Sequence, residues 1–199
     1  MRSYCVAVSL LTVSFICAAE EIPAPVGLKW GESEQTITSK YGGIPVNPVN
    51  GFNVYVIYNP PIKLDGIEHV VGLVAPNIGL VKVILASDIA NDAYGIEGDK
   101  IYNDYKKKLT VKYGKPESFD YMGRKVYSEP DEFYQCLKYD GCGRRVSFFT
   151  QKDGGSISLE ITGKSRGTGM FRISYERRLF SEAQKIAEQE SDKRDEAGL

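Results

Sequence analysis

Two neighbouring segments late in the chain alternate apolar and polar side chains, and this is the clearest pattern in the sequence. They are Ser156–Thr162 and Met170–Glu176, in which every second residue is Ile, Leu, Phe or Tyr. Successive side chains of a strand point to opposite faces, so the pattern predicts two strands with one apolar and one polar face each. Residues Gly163–Thr168 would join them as an exposed hairpin loop.

Further segments rich in Val, Ile, Tyr and Phe predict additional strands, because turn sequences containing Asn, Asp, Pro and Gly separate several of them. Three such segments follow one another in the first half and favour an antiparallel meander. Two more precede the alternating pair. The predicted strands are Phe52–Tyr58, His69–Ala75, Leu80–Ala86, Lys125–Ser128 and Arg145–Thr150.

Two segments have helical spacing. The first predicted helix covers Glu34–Tyr41, with Ser33 as its N-cap, Gly42–Gly43 as its end, and Ile37 and Tyr41 as its buried pair. The second shows apolar residues at four-residue spacing and ends near a Gly and a Pro. Its stripe consists of Ile101, Tyr105 and Leu109, and its end is marked by Gly114 and Pro116.

The order of helix followed by strands occurs twice, which favours an α+β fold over a parallel α/β fold. We predict two helix-plus-antiparallel-strand halves that form one compact domain. Lys40–Gly42 and Lys112–Gly114 have the same sequence, Lys-Tyr-Gly, and each ends a predicted helix. A true duplication and a chance match are both consistent with so short a repeated sequence.

Two segments, one at 21–30 and one at 181–199, have simpler patterns. Glu21–Val26 contains two prolines and predicts an extended lead-in with no core residue, and Leu28–Trp30 predicts a short strand after it. Residues 181–199 are charged and have almost no large apolar side chains. They predict a solvated tail that begins as a helix and frays into disorder.

Residues 1–19 have the composition of a secretory signal peptide. Arg2 provides the positive start, Cys5–Ile16 the apolar stretch, and Cys17–Ala19 the small-residue cleavage site. The chain is therefore expected to be periplasmic or secreted after cleavage near Ala19, with an exported domain at 20–180 and no transmembrane segment. Lipidation of Cys17 is the less favoured alternative, because Ile16 precedes it in place of a small residue.

The overall charge argues against nucleic acid as a partner. The whole chain has 25 basic and 26 acidic residues, and removing Arg2 with the signal leaves 24 basic ones. A net charge near −2 offers no bulk attraction for nucleic acid or for an anionic membrane.

Cys136 and Cys142 are the two cysteines outside the signal. In an oxidising compartment, this spacing predicts a disulfide that closes a short loop. A metal site is the weaker reading, since the single histidine, His69, is distant in sequence. A redox-catalytic pair would require the Cys-x-x-Cys spacing. We predict no metal site and no cofactor.

Catalytic signals are weak throughout the sequence. His69 stands at the start of a predicted strand, where local packing is the commoner role, and no Gly-x-Ser-x-Gly motif offers a nucleophile. Paired acids such as Glu97 with Asp99, or those within Glu129–Glu132, could serve a glycoside hydrolase, although solvated charges are the simpler interpretation. We assign no catalytic residue.

Basic residues gather in the C-terminal strands despite the balanced total. Such a patch could bind an acidic protein or an anionic glycan. The chain also has 13 tyrosines, several of them at the ends of predicted elements, and tyrosine suits recognition surfaces. The predicted binding residues are Arg144, Arg145, Lys164, Arg166 and Arg172, and the tyrosines are Tyr55, Tyr58, Tyr94, Tyr121, Tyr127, Tyr134 and Tyr139.

Six short motifs are spread along the chain: Gly27–Ser33, Lys40–Gly42, Gly79–Val83, Tyr94–Gly95, Tyr113–Pro116 and Ile173–Glu176. They resemble those of small exported bacterial proteins of uncharacterised function. The resemblance covers most of the exported chain, but its motifs are turns and strand ends and imply no activity. More remotely, the two halves are similar in layout to the tandem repeats of β-lactamase-inhibitor-like envelope domains, which bind proteins. This chain differs in its single predicted helix per half.

These observations favour an exported, non-enzymatic domain that binds a protein of the bacterial cell envelope or a secreted protein, as an inhibitor, immunity-type factor or assembly accessory. The alternative is a carboxylate-dependent hydrolase of cell-wall polymer. A structural envelope protein without a specific partner is a third possibility. The sequence does not determine the oligomeric state.

Overall fold

The computed structural model describes residues 21–123 and 126–198. The predicted signal peptide, and Lys125 of one predicted strand, lie outside the described residues. In chain order, the elements are α1 (Glu34–Tyr41), β1 (Gly43–Val49), β2 (Phe52–Ile57), β3 (His69–Ala75), β4 (Gly79–Ile89), α2 (Ile96–Tyr113), β5 (Glu117–Tyr121), α3 (Phe133–Lys138), β6 (Arg144–Thr150), β7 (Ser156–Ser165), β8 (Thr168–Glu176) and α4 (Phe180–Gly198).

The eight strands form one antiparallel sheet in the order β1-β2-β3-β4-β8-β7-β6-β5. Each half is a four-stranded meander preceded by a helix, and the two halves meet where β4 pairs with β8. The predicted α+β fold is therefore confirmed. Both Lys-Tyr-Gly sequences end a helix as expected, because Tyr41 and Tyr113 are the last residues of α1 and α2.

Helices α1, α2 and α3 contribute side chains to the main core on one face of the sheet. Ser33 caps α1 by accepting from the Thr36 amide, and Ile37 and Tyr41 are its buried pair, as predicted. The helical residues in this core are Ile37, Tyr41, Tyr102, Tyr105, Leu109 and Tyr134, and the strand residues include Tyr55, Ile57, Val83, Leu85, Phe149, Ile157, Leu159, Ile161, Phe171, Ile173 and Tyr175.

Helix α4 packs on the opposite face of the sheet. Ala183 and Ala187, four residues apart, are fully buried beside Phe52, and the Phe52 and Phe180 rings stack with centroids 5.6 Å apart. The sequence favours a solvated, fraying end, but the helix continues to Gly198. Its two alanines bring the helix close to the sheet without the large apolar residues that usually indicate a buried face.

The lead-in also differs from expectation. Ile22 and Val26 belong to the main core, and the Trp30 indole donates to the Ile22 carbonyl at 2.6 Å. The prediction that Glu21–Val26 contains no core residue is therefore wrong. Residues 28–30 form no strand, although Leu28 is buried.

The two edge strands were not predicted. β1 contains Pro45 and Pro48, which lack the N–H of a central strand but are tolerated at an edge. β5 is a five-residue strand with four exposed positions. It replaces the predicted strand Lys125–Ser128, whose described residues 126–128 are not in a strand.

Candidate functional site

Two cavities lie around the C-terminal end of α3 and the loop that follows it. Their volumes are about 360 and 400 Å³, and Lys138 and Tyr139 line both. We call them together the disulfide-loop groove. The first is also lined by Tyr121, Leu137, Asp140, Gly141, Gly143, Arg144, Arg145, Val146, Glu160, Ile161 and Thr162, and the second by Tyr127, Gln135, Lys164, Ser165 and Arg166.

The loop in this groove is closed by the predicted disulfide. Cys136 of α3 and Cys142 are bonded, with their Cα atoms 5.1 Å apart, and both side chains are fully buried. The Cys142 amide donates to the Tyr139 carbonyl at 3.0 Å, and Gly141 has the left-handed conformation that the tight turn requires. The covalent link and the turn together hold Tyr139 at the surface.

We expect the disulfide to stabilise the protein measurably. Closing a loop of this length restricts the unfolded chain by about 2 kcal/mol. The double variant Cys136→Ser/Cys142→Ser should therefore lose about that much unfolding free energy in urea titrations. A thiol assay of the processed, denatured wild-type protein should find no reactive thiol, and two thiols per chain would contradict the pairing.

The position of α3 depends on two glycines beneath it. Gly163 and Gly169 pair directly across β7 and β8. A Cβ atom at Gly163 would overlap the Tyr134 carbonyl oxygen and would lie 2.9 Å from the Lys138 amide nitrogen, while one at Gly169 would overlap the Tyr134 ring. The helix can rest on the sheet here only because both positions lack a side chain.

A buried carboxylate fixes the other side of α3. The Tyr134 hydroxyl donates to Asp92 Oδ2 at 2.7 Å, and the amides of Ile96 and Gly98 donate to the same carboxylate at 2.8 and 2.9 Å. Burial alone would raise the pKa of Asp92, but these donors outweigh it and lower the pKa below its ordinary value. Asp92 therefore joins the start of α2 to α3.

The groove is predominantly basic. Among the described residues, five basic side chains line its two cavities, against the two acidic ones of Asp140 and Glu160. Four of the five predicted binding residues are among the lining residues, and the fifth, Arg172, donates to Glu160 in the wall at 2.7 Å. The basic residues are Lys138, Arg144, Arg145, Lys164 and Arg166.

Most of these basic groups already have carboxylate partners. Arg145 forms ion pairs with Asp99 and Asp120, and its side chain is only 16% exposed. Burial lowers the pKa of Arg145, but hydrogen bonds to the two acids outweigh this effect and raise it. This arginine is therefore a structural part of the wall. Lys164 and Arg166 pair with Asp88 and Asp131.

Lys138 and Arg144 differ from the other three basic residues in their contacts with carboxylates. Both are exposed, and the Arg144 guanidinium lies over the Phe119 ring, 5.7 Å from its centroid. Within residues 21–123 and 126–198, neither forms an ion pair. Lys138 was not singled out from the sequence; the only signal was its position between the two cysteines.

The seven tyrosines noted in the sequence separate into three groups, one of which, Tyr58 and Tyr94, is exposed and does not line the groove. Tyr55 and Tyr134 are core residues, whereas Tyr121, Tyr127 and Tyr139 line the groove. The Tyr127 and Tyr139 rings meet edge to face with centroids 6.0 Å apart. These two rings offer the second cavity apolar surface together with hydroxyl groups.

The acids considered for hydrolysis have structural partners in most cases. Asp99 pairs with Arg145, Asp131 pairs with Arg166, and Glu129 and Glu132 cap each other's backbone amides. Glu97 is exposed in the first turn of α2. No described contact brings these acids together as a pair across a cleft.

Comparison of the chain with protein-family models, with curated proteins and with solved structures finds no match. Among the described helices, none is long and apolar enough to cross a membrane. The geometry of the groove is therefore the basis for a functional assignment.

Proposed function

We propose that this chain is an exported, non-enzymatic binding domain of the bacterial cell envelope and that the disulfide-loop groove binds an acidic surface of a protein partner. The observation that carries the proposal is the groove's composition, in which five basic residues and three tyrosines line two adjoining cavities. Tyrosine and arginine are enriched among the residues that dominate binding energy.

Lys138 and Arg144, which form no ion pair among the described residues, would make the first electrostatic contacts with the partner. Lys138 projects from the disulfide loop, and Arg144 lies beside it on β6. An acidic surface of the partner protein would form new ion pairs with them directly. Arg145 and Arg172 would first have to release the carboxylates that they bind within this chain. Lys138 and Arg144 should therefore contribute most to charge complementarity.

The contact would extend beyond the groove itself. A specific interface buries roughly 800 Å² on each partner, which is more than two small cavities provide. Phe119 on the neighbouring edge strand is 41% exposed and packs edge to face against Phe148, 6.3 Å between centroids. These rings supply an apolar anchor next to the basic residues.

The proposed location follows from two observations. Residues 1–19 have the pattern of a secretory signal, and the structure contains a buried disulfide. Disulfides of this kind persist in oxidising compartments such as the periplasm or the extracellular space. Both features support an envelope or secreted location.

The proposal predicts a charge-dependent interaction. We expect crosslinking and affinity capture from native envelope extract to recover one stoichiometric protein with the oxidised wild-type chain. Lys138→Glu and Arg144→Glu should each reduce capture at least tenfold, since each introduces repulsion at the contact. The control Lys107→Glu, an exposed position on α2, should bind as wild type.

Two outcomes would refute this function. One is the absence of any stoichiometric partner, and retention on purified peptidoglycan in that case would favour the hydrolase alternative. The other is a partner whose capture is equally strong with the wild type, Lys138→Glu and Arg144→Glu, which would place the binding surface elsewhere. Far-ultraviolet circular dichroism of each variant would establish that the fold is retained.

A further inference from the structure

Three potential metal ligands converge where β3 begins and β4 ends. They are Glu68, His69 and Asp88, and one ligand atom from each lies within 4.8 Å of the other two. The His69 Nε2 atom is 3.7 Å from Asp88 Oδ2 and 3.9 Å from Glu68 Oε2. Sequence alone did not reveal this group, because strand pairing brings Asp88 beside residues nineteen and twenty positions earlier.

The backbone holds these residues in register. Glu68 donates its amide to the Ala86 carbonyl at 3.0 Å, and His69 pairs with Ala86 across β3 and β4. The Asp88 amide donates to Glu68 Oε2 at 3.2 Å, which draws the glutamate side chain toward the end of β4. The three side chains therefore start from a shared, partly organised position.

The spacing is close to that of a tetrahedral metal site. Zinc bonds to nitrogen and oxygen are about 2.0–2.2 Å long, so ligand atoms at a tetrahedral centre lie roughly 3.3–3.5 Å apart. The two distances from His69 Nε2 exceed this range by only a few tenths of an ångström, and the carboxylate oxygens of Glu68 and Asp88 lie within 4.8 Å of each other. All three residues are exposed, so side-chain rotations can close these differences.

The ligand types narrow the choice of metal. An imidazole nitrogen with two carboxylates suits first-row divalent transition metals such as zinc, whereas calcium prefers six to eight oxygen ligands. Two carboxylates also supply two negative charges to a divalent ion. Three protein ligands are the number found at zinc sites that keep one position for water or another ligand.

Lys164 provides an internal competitor for this site. Its ammonium group lies 2.6 Å from Asp88 Oδ1, whereas His69 faces the other oxygen, Oδ2. A metal ion on Oδ2 and the ammonium on Oδ1 can occupy the same carboxylate, but the two positive charges repel. Removing the lysine charge should therefore favour the metal.

We propose that Glu68, His69 and Asp88 form a surface site for one divalent transition-metal ion of the zinc type. The inference rests on the convergence of three ligands at metal-like spacing and is independent of the groove's proposed partner. His69, whose role in the sequence was ambiguous, is a metal ligand in this assignment.

The single histidine makes the test direct. Its imidazole signals are the only ones that this chain can give in NMR spectra, provided that the protein is purified without a histidine tag. Titration of the oxidised protein with Zn²⁺ should shift these signals until one equivalent is bound, and calorimetry should report one ion per chain. His69→Ala and Asp88→Asn should each weaken binding at least tenfold.

Two further variants test whether the Lys164 charge opposes metal binding. Lys164→Met should bind Zn²⁺ about threefold more tightly or better at low salt, because it removes a nearby positive charge. Asp104→Asn, an exposed change on α2, is the matched control and should not alter binding. Absence of a saturable imidazole shift at a large excess of Zn²⁺, or binding unaffected by Asp88→Asn, would overturn the proposal.

Discussion

Replacing Gly163 with alanine is expected to lower the free energy of unfolding by about 3 kcal/mol or more, since overpacking a tight contact is costly. The added methyl group would overlap the Tyr134 carbonyl oxygen, which belongs to the backbone of α3 and cannot rotate away. The helix would have to move off β7. That movement would also displace Lys138 and Tyr139 from the disulfide-loop groove.

Urea denaturation followed by circular dichroism measures this loss directly. Gly198→Ala is a suitable control, because a Cβ atom there meets nothing within 4 Å, and its stability should match wild type within about 0.5 kcal/mol. If Gly163→Ala proved as stable as the control, the close packing of α3 on the sheet would be wrong.

Asp92→Ala is the second change with a large expected effect. It removes the acceptor for the Ile96 and Gly98 amides and for the Tyr134 hydroxyl; the bonds from Gly98 and Tyr134 are buried and the one from Ile96 is partly buried. Each donor left unpaired costs about 1 kcal/mol or more, so the three together cost about 3 kcal/mol. Tyr134→Phe removes only one of the three bonds and should cost about 1 kcal/mol. Urea titrations of both variants would measure the two losses.

The Asp92 contribution should also depend on pH. Because hydrogen bonds lower the pKa of Asp92 in the folded protein, its ionised form stabilises the fold at every pH above the unfolded value of about 3.9. That stabilisation is lost as the pH falls through the lower, folded-state pKa. The stability difference between wild type and Asp92→Asn should therefore shrink in acid and stay constant near neutrality, and a difference that grew in acid would contradict this assignment.

Comparing these variants with Lys138→Glu separates the role of α3 from that of the groove's charges. Gly163→Ala and Asp92→Ala should weaken both stability and partner capture, because α3 carries Lys138. Lys138→Glu changes an exposed side chain and should reduce capture with little effect on stability. Loss of binding without loss of stability would therefore identify a direct contact.

Local sequence signals predicted several elements accurately. The Ser33 cap, Ile37 and Tyr41 marked α1 at its observed bounds, and the alternation in Ser156–Thr162 and Met170–Glu176 marked β7 and β8. Such signals are reliable because a cap or a strand period depends on residues close together in the chain. The Cys136–Cys142 bond was predicted for the same reason.

Other elements lacked a local signal. β1 contains two prolines that are acceptable only because the strand lies at an edge, and α3 is a six-residue helix whose place depends on glycines of β7 and β8. The buried face of α4 consists mainly of small residues, so its composition resembles that of a solvated tail. Tertiary contacts determine the edge position of β1, the place of α3 and the buried face of α4.

The candidate sites divide in the same way. The sequence by itself determined the α+β class, the disulfide and the presence of basic residues in the C-terminal strands. Only the tertiary structure decided that Arg145 is held by Asp99 and Asp120, that Lys138 and Arg144 form no ion pair within residues 21–123 and 126–198, and that Asp88 meets His69. Residue types and short spacings are properties of the chain, whereas a charge's partner depends on strand pairing and helix packing between distant segments.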